Sequence, residues 1–260
     1  MAKRNIVIAN WKMNPSTATE AGKWLLNIAK SIKRIKRTEV VICPPFLYLE
    51  KLKKVSRKIM LGAQNAYPGE VGPFTGEVSA EMLYNLGVKY VILGHSERRS
   101  PPAGGGETNE IVNKKIKSAL LSGLVPVICI GEKERDEKHE YFNIVKTQVK
   151  ECLKGVSKES ISKVIIAYEP VWSISSTPSR RDATAADSLE MAVFIRKVLS
   201  DISSPQMASN TRILYGGSVT DRDAGEFLTN GGVDGLLVGR ASIDPLKFLE
   251  IVKICEALKS

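Results

Sequence analysis

The stretch Ala167-Tyr168-Glu169-Pro170-Val171-Trp172 places a carboxylate where a buried strand ends and a loop begins. The residues from Lys163 to Tyr168 are mostly apolar and partly β-branched, which is typical of a strand buried on both faces. Pro170 has no backbone N–H to donate, so we expect the strand to end there. Glu169 is therefore a candidate for chemistry, although a glutamate in a Glu-Pro pair is more commonly an N-cap or a surface residue.

Strand-like runs alternate with amphipathic, helix-like stretches along the whole chain. The predicted strands are Asn5 to Asn10, Glu39 to Cys43, Ile59 to Gln64, Tyr90 to Gly94, Leu124 to Ile130, Val164 to Glu169, Arg212 to Gly216 and Gly235 to Val238. The clearest predicted helices are Thr19 to Arg34, Thr108 to Leu121, Glu137 to Leu153, Ala185 to Leu199 and Pro245 to Leu258. Eight strands in one unbroken alternation predict a parallel sheet with helical crossovers.

We expect residues 1–260 to form one α/β domain, a (β/α)8 barrel with a parallel eight-stranded core. A doubly wound open sheet is the alternative, but it usually has fewer strands and a glycine-rich nucleotide turn after the first strand. Here that turn reads Asn10-Trp11-Lys12-Met13-Asn14 and contains no glycine. No linker, low-complexity tract or run of like charges divides the chain into two halves.

The chain carries a formal net charge of +10, which raises the encounter rate with anionic ligands. Phosphorylated metabolites and nucleic acids both meet that description. Many of the cations lie from Lys30 to Arg37 and from Lys51 to Lys58, where apolar residues recur at helical spacing. This pattern indicates solvated helix faces. No interleaved aromatic residues or nucleic-acid motif accompany them, so we predict no nucleic-acid partner.

Several features favour a cytoplasmic protein without membrane contact. The apolar runs are strand-sized and far shorter than the roughly 20 residues that a spanning helix needs. Strand-like sequence follows Met1-Ala2-Lys3-Arg4 directly, so no signal peptide is evident. The cysteines lack the paired short spacing of a zinc site and fit reduced thiols: Cys43, Cys129, Cys152 and Cys255.

In such a barrel the reactive groups should lie on loops at the carboxyl ends of the strands. Five predicted strands bring polar or glycine-containing segments to that rim: Asn10 and Lys12, His95 and Glu97, Glu169, Gly216-Gly217-Ser218, and Gly239-Arg240-Ala241-Ser242. The set combines a cation, an imidazole, a carboxylate and two turns suited to an anion.

Motifs at four of these strand ends resemble triosephosphate isomerase: Asn10-Trp11-Lys12-Met13-Asn14, Gly94-His95-Ser96-Glu97-Arg98-Arg99, Ala167-Tyr168-Glu169-Pro170-Val171-Trp172 and Tyr215-Gly216-Gly217-Ser218-Val219. The resemblance extends over essentially the whole chain in order, and includes Gln64 to Glu77 and Cys129-Ile130-Gly131-Glu132. It implies interconversion of D-glyceraldehyde 3-phosphate and dihydroxyacetone phosphate through an enediolate, in glycolysis and gluconeogenesis.

An aldose–ketose isomerisation needs a base, an electrophile, a cation for developing negative charge and a grip on the phosphate. We interpret Glu169 as the base, His95 as the electrophile and Lys12 as the cation. The resemblance implies that Glu97 orients Lys12 and takes a secondary part in proton movement. This chemistry calls for no metal or organic cofactor. We interpret Cys129 as a packing residue, and His139, in a charged helix predicted from Glu132 to Glu140, as a surface residue.

Phosphate binding is expected from backbone amides, since small residues let the main chain approach an anion. Gly217-Ser218 and Gly239-Arg240 match the turns that hold phosphate in the family, and the resemblance adds Asn10 and Lys12 to the substrate contacts. For either turn alone, ordinary loop geometry is the alternative. The family usually has glycine where this chain has Arg240, whose side chain must therefore find another direction.

The predicted lid, Ser173 to Asp182, departs further from the family. The family typically has an Ala-Ile-Gly-Thr-Gly-Lys type of tip, whereas this lid is a few residues longer and has no glycine. Ser175 can still offer an amide to phosphate and Ile174 can still exclude water. Arg180 and Arg181 are candidates for anion capture or for solvated lid charges.

A second insertion, from Ser100 to Gly106, follows the His95 loop. We hypothesise that this insertion and the lengthened lid touch or move together.

The segment Gln64 to Glu77 resembles the loop that interdigitates between subunits in the family, which implies a homodimer in which Thr75 reaches the site of the second subunit. Two other functions remain open: a related barrel enzyme acting on another phosphorylated metabolite, and a non-catalytic basic binding protein.

Overall fold

The computed structural model describes residues 4–55, 59–101, 104–174, 177 and 181–258. Its strands are β1 Ile6–Asn10, β2 Glu39–Cys43, β3 Met60–Ala63, β4 Tyr90–Leu93, β5 Val125–Ile130, β6 Ile165–Tyr168, β7 Arg212–Tyr215 and β8 Gly235–Val238. Each strand pairs in parallel with the next, and β1 also pairs with β8, so the sheet closes into a barrel. The predicted (β/α)8 fold class is confirmed.

Helices connect the strands around the outside of the barrel. They are α1 Ala18–Ser31, α2 Phe46–Lys53, α3 Ala80–Leu86, α4 Ser96–Arg99, α5 Asn109–Leu121, α6 Tyr141–Cys152, α7 Lys158–Ile161, α8 Ala185–Ile202, α9 Pro205–Asn210, α10 Ala224–Asn230 and α11 Pro245–Ala257. Side chains fix several of the helix starts. The clearest is α8, where Thr184 and Asp187 form a reciprocal capping box directly after the lid.

The strands bury both faces, as their apolar runs predict. On β1, Ile6 and Ile8 belong to the core inside the barrel, whereas Val7 and Ala9 belong to the larger core between the barrel and the helices. This alternation follows from the two-residue period of a strand. Two packed layers hold every strand in place, and the strand ends are rigid supports for the loops that follow.

A partly buried charge cluster lies at the amino-terminal end of the barrel. The Glu39 carboxylate accepts hydrogen bonds from the Tyr90 hydroxyl and from Arg212 at 2.8 Å, and Lys89 lies 3.7 Å away. Burial raises the pKa of Glu39, but the hydrogen bonds from Tyr90 and Arg212 and the charges of Arg212 and Lys89 lower it by more. The net pKa of Glu39 is below its ordinary value, because its ionised form is well partnered.

The predicted strand and helix bounds agree with the structure to within a few residues, except before α6. The helix predicted from Glu132 to Glu140 is wrong, and the helix predicted from Glu137 begins only at Tyr141. The φ of 59° at His139 is incompatible with a right-handed helix through this residue. Glu132 is fully buried beneath the barrel rim rather than on a solvated helix face. His139 is exposed, as expected. Among the described residues, no helix combines the length and apolar character needed to cross a membrane.

Candidate active site

Lys12 is held at the end of β1 by its own backbone. Its φ is 51°, an uncommon value for a residue with a side chain, and two neighbouring side chains support that conformation. The Asn10 side-chain oxygen accepts the Lys12 N–H at 3.0 Å, and the Gln64 amide donates to the Lys12 carbonyl at 2.8 Å. The Lys12 ammonium then reaches the Glu97 carboxylate at 2.5 Å. This ion pair is the contact that orientation of Lys12 by Glu97 requires, and the role of Glu97 stays a prediction.

His95 lies between the end of β4 and the start of α4. Its Nδ1 accepts the backbone N–H of Glu97 at 3.2 Å. A ring nitrogen that accepts a hydrogen bond carries no proton, so the neutral ring bears its proton on Nε2. Nε2 lies 3.4 Å from the Glu169 carboxylate and faces the same cavity.

Glu169 is only 2 % exposed and follows β6 directly. Its backbone N–H still donates to the Ile130 carbonyl at 2.7 Å, so the main chain is fixed beside β5. The carboxylate accepts the Ser96 N–H at 3.2 Å through one oxygen and lies beside His95 through the other. A β-carbon at Gly216 would lie 2.9 Å from Glu169 Cγ, so glycine at this position leaves room for the carboxylate.

Two adjoining cavities lie at the carboxyl ends of the strands and share Asn10, Lys12 and His95. The smaller, of about 30 Å³, is also lined by Glu169 and by Ile174 from the lid. The larger, of about 250 Å³, extends towards Glu97, Gln64 and Phe46. Ile174 is 6 % exposed, in agreement with the expectation that it excludes water. The rim therefore combines a cation, an imidazole and a carboxylate around one enclosed space.

The turns predicted to bind phosphate line the smaller cavity together with Lys12: Gly217, Ser218, Gly239 and Arg240. Gly217 is packed against Tyr215, because a β-carbon there would lie 2.2 Å from the tyrosine hydroxyl. Arg240 begins a short 3-10 turn, Arg240–Ile243, and is exposed to solvent. Ser175 lies outside the described residues.

Trp172, directly before the lid, is held by a hydrogen bond to a buried glutamate. The Trp172 indole N–H and the Tyr168 hydroxyl both donate to Glu132 Oε1 at 2.8 Å. Arg135 approaches the same oxygen at 3.3 Å and also pairs with Asp187 at 2.8 Å. Glu132 and Arg135 thereby connect Trp172, directly before the lid, to α8, directly after it.

Sequence reasoning missed the supporting roles of Gln64, Gly216 and Glu132. The sequence predicts a strand end and the start of a loop at Gln64 and a glycine turn at Gly216, but not that both contact a candidate catalytic group. For Glu132 it predicts a place in a motif and at the start of a charged helix, but not a buried position. A buried glutamate two residues after a strand end is the signal that could have identified it, since buried carboxylates need partners.

Cys129 packs beneath Glu169 and is fully buried. Burial raises the pKa of its thiol far above the ordinary value, and the adjacent Glu169 raises it further. The thiol is therefore protonated, in agreement with a packing role. Within the ranges that the structure describes, no group of three or more His, Cys, Asp or Glu side chains is arranged to hold a metal ion.

The fold and the site define a class: a (β/α)8-barrel enzyme whose acid–base groups lie at the carboxyl ends of its strands. The triosephosphate isomerase family model matches residues 5–255. The triosephosphate isomerases of Dictyoglomus thermophilum and Thermoanaerobacter pseudethanolicus are each 43% identical over 96% of this chain and 99% of theirs. That of Aquifex aeolicus is 42% identical, covering 96% of this chain and 98% of its own. The chain belongs to the triosephosphate isomerase family.

Proposed function

We propose that this chain interconverts D-glyceraldehyde 3-phosphate and dihydroxyacetone phosphate in glycolysis and gluconeogenesis. The observation that carries the proposal is the 3.4 Å approach of Glu169 Oε1 to His95 Nε2 in a cavity that Lys12 also lines. A carboxylate can take a proton from carbon while an adjacent N–H polarises the carbonyl oxygen. Family membership supports the same reaction.

Each group has one role in the proposed mechanism. Glu169 removes the proton from the carbon next to the carbonyl and later returns it to the neighbouring carbon. His95 donates from Nε2 to the carbonyl oxygen and shuttles a proton between the two oxygens. The Lys12 ammonium stabilises the negative charge of the enediolate, and Glu97 positions that ammonium. The proton chemistry needs only side chains and a covered site, so no cofactor is invoked.

The phosphate of the substrate is assigned to the turns that line the cavity with Lys12. Backbone amides at Gly217, Ser218 and Gly239 are the proposed donors, with Arg240 at the rim and Asn10 next to Lys12. Ser175 is proposed as a further amide donor from the lid. The excess of positive charge on the chain would speed the approach of this anion.

The test is an isomerase assay of the intact protein beside Glu169→Ala and Lys12→Ala. We expect turnover to fall about 10²- to 10⁴-fold without the base, and about 10²- to 10³-fold without the ammonium. Melting temperatures of all three proteins provide the folding control. Intact protein that binds 2-phosphoglycolate without turnover would place the defect in the lid. Absence of both turnover and anion binding would refute the proposal.

A substrate panel separates the proposed activity from a related barrel enzyme. Ile174 from the lid lines the cavity beside Glu169, so a longer sugar phosphate would have to displace this residue, which favours a three-carbon phosphate. We expect the triose phosphates to be turned over fastest. A faster reaction with a longer phosphorylated sugar would move the assignment to that substrate.

We also propose that residues 1–260 act as one catalytic domain in a cytoplasmic homodimer that assembles through Gln64 to Glu77. Val71 and Phe74 in this segment are 65 % and 42 % exposed, which supports a second subunit as its partner. Thr75 lies at its tip and is exposed. Thr75→Arg should yield weakly active monomers by light scattering and assay. A fully active Thr75→Arg dimer would contradict the assembly.

A further inference from the structure

A cleft of about 380 Å³, here called the amino-terminal cleft, opens where the first four strands begin. Arg4 precedes β1, Glu39 and Met60 are the first residues of β2 and β3, and Lys89 precedes β4. The cleft shares no lining residue with the two cavities at the candidate active site. Its volume falls within the range of roughly 300–1,000 Å³ that is typical of small-molecule sites.

Three cations from separate segments line the amino-terminal cleft: Arg4, Lys36 and Lys89. The one carboxylate that lines it, Glu39, already pairs with Arg212 at 2.8 Å and with Lys89 at 3.7 Å. Two cations therefore share one negative charge. Within the part of the chain that the structure describes, neither Arg4 nor Lys36 forms an ion pair. The cleft thus has an excess of positive charge, which attracts an anion.

The main chain that carries two of these cations is held in place. The Glu256 carboxylate, near the end of α11, accepts the backbone N–H of Lys36 at 2.8 Å and that of Thr38 at 2.8 Å. The backbone N–H of Lys89 donates to the Leu61 carbonyl at 2.9 Å. Because these backbones are fixed before a ligand arrives, less conformational entropy is lost on binding.

Apolar side chains also line the amino-terminal cleft: Ile32, Ile35, Val40 and Met60. Ile32 and Val40 are each 2 % exposed and belong to the core, whereas Ile35 and Met60 are only half-buried. Covering half-buried apolar surface stabilises a complex by removing that surface from water. A cleft with both cations and apolar surface favours an organic anion over a mineral one.

We propose that the amino-terminal cleft is a second ligand site, which binds a small organic phosphate. The phosphate group lies among Arg4, Lys36 and Lys89, and the apolar body of the ligand covers Ile35 and Met60. A phosphate monoester suits the cleft better than a carboxylate, because its two negative charges are attracted more strongly by three cations. The site is separate from the proposed isomerase reaction and does not depend on it.

Amide NMR spectra distinguish this site from the active site in a single titration. Phenyl phosphate is the probe, because it joins a dianionic group to an apolar ring. We expect the amide signals of Val40 and Met60 to shift with phenyl phosphate concentration and to saturate, whether or not those of Gly217 and Gly239 also shift. Shifts confined to Gly217 and Gly239 would place phosphate binding at the active site alone and would overturn the proposal.

Variants that remove one charge test the cations. Arg4→Ala and Lys36→Ala should each weaken phenyl phosphate binding, followed at Val40, by about two- to fivefold, since each loses an exposed charge partner. Both residues are exposed, so folding should be preserved. The matched control is Lys146→Ala, which removes the same charge from an exposed lysine of α6 that does not line the cleft. Equal weakening in Lys146→Ala would mean that net charge alone attracts the anion, and the site assignment would be wrong.

A comparison of three ligands tests the two parts of the cleft separately. Inorganic phosphate should bind about three- to tenfold more weakly than phenyl phosphate, because it leaves the apolar side chains uncovered. Benzoate keeps the ring but has one charge, so it should also bind more weakly. Ile35→Ala should narrow the difference between phenyl phosphate and inorganic phosphate. Equal affinity for all three ligands at Val40 and Met60 would contradict an organic phosphate site.

Discussion

Each end of the barrel contains a glutamate among polar partners, but the partners differ in kind. At the amino-terminal end, the partly buried Glu39 lies between Arg212 and Lys89 and its charge is offset by cations. At the carboxyl-terminal end, the buried Glu169 lines the active-site cavity beside the His95 ring, and within the described ranges no lysine or arginine forms an ion pair with it. The same residue type is therefore placed in two environments that have opposite uses.

The contrast shows how one scaffold separates stability from chemistry. A carboxylate with cationic partners gains its stabilisation from the ionised state, as Glu39 does from Arg212 and Lys89. The Glu169 carboxylate is contacted by an amide N–H, an imidazole and the Cys129 thiol, so its position contributes less to folding and leaves the carboxylate facing a ligand. Sites of this kind commonly sacrifice some stability for function.

The largest expected effect comes from replacing glutamate with glutamine at each end of the barrel, in two separate variants. Glu169→Gln should lower kcat by about 10²- to 10⁴-fold, because an amide of the same shape cannot accept the proton. Glu39→Gln should leave kcat within about twofold, because the cluster lies at the opposite end of the barrel from the site. Steady-state kinetics of the two variants at equal folded concentration provide the comparison. Similar losses of kcat in both would mean that the two ends are not independent.

A smaller loss of activity should follow from crowding the base without changing it. Gly216→Ala would place a β-carbon 2.9 Å from Glu169 Cγ, so the carboxylate must shift. We expect kcat to fall by about 10- to 100-fold, since a small displacement of a catalytic group is costly. Gly22→Ala is the matched control, because a β-carbon there has no heavy atom within 4 Å. Unchanged kcat in Gly216→Ala would show that Glu169 adjusts freely.

The sequence predicted the barrel and the candidate groups because both depend on local patterns. Alternating strand and helix signals are repeated eight times, and the strand ends bring Lys12, His95 and Glu169 to one rim. The wrong helix before α6 had a different origin. Its charged residues look solvated in sequence, but Glu132 turns inward to meet Trp172, a partner 40 residues away. Tertiary contact overrode the local pattern there.

Other features of the site depend on contacts between residues far apart in the sequence, which local sequence patterns do not predict. The Gln64 amide supports Lys12 across 52 residues, and Arg135 joins Glu132 to the start of α8. The hypothesis that the Ser100 to Gly106 insertion touches the lid stays a prediction, because most of the lid tip lies outside the described residues. In the described parts, Ser100 and Val171 line the same cleft of about 580 Å³. Arg180 also lies outside the described residues.

Stability should show the reverse of the kinetic result. Glu39→Gln should lower the free energy of unfolding by about 1–3 kcal/mol, because Arg212 loses a charged hydrogen-bond partner in a partly buried site. Glu169→Gln should change it by less, since its carboxylate has no cationic partner to abandon. Urea denaturation of both variants measures the difference. A larger loss in Glu169→Gln than in Glu39→Gln would contradict the assignment of the two ends.

The smallest expected effect is the pH dependence of the stability that the intact protein gains over Glu39→Gln. The folded-state pKa of Glu39 is below its unfolded value, so its contribution is fully present above the unfolded pKa of about 4.3. The contribution is lost as the pH falls through the folded-state pKa, because protonation then discards the ion pairs. The gap in unfolding free energy between the intact protein and Glu39→Gln should therefore narrow from pH 6 towards pH 3. A gap that stays constant over this range would mean that packing, rather than the charge on Glu39, supports the amino-terminal end.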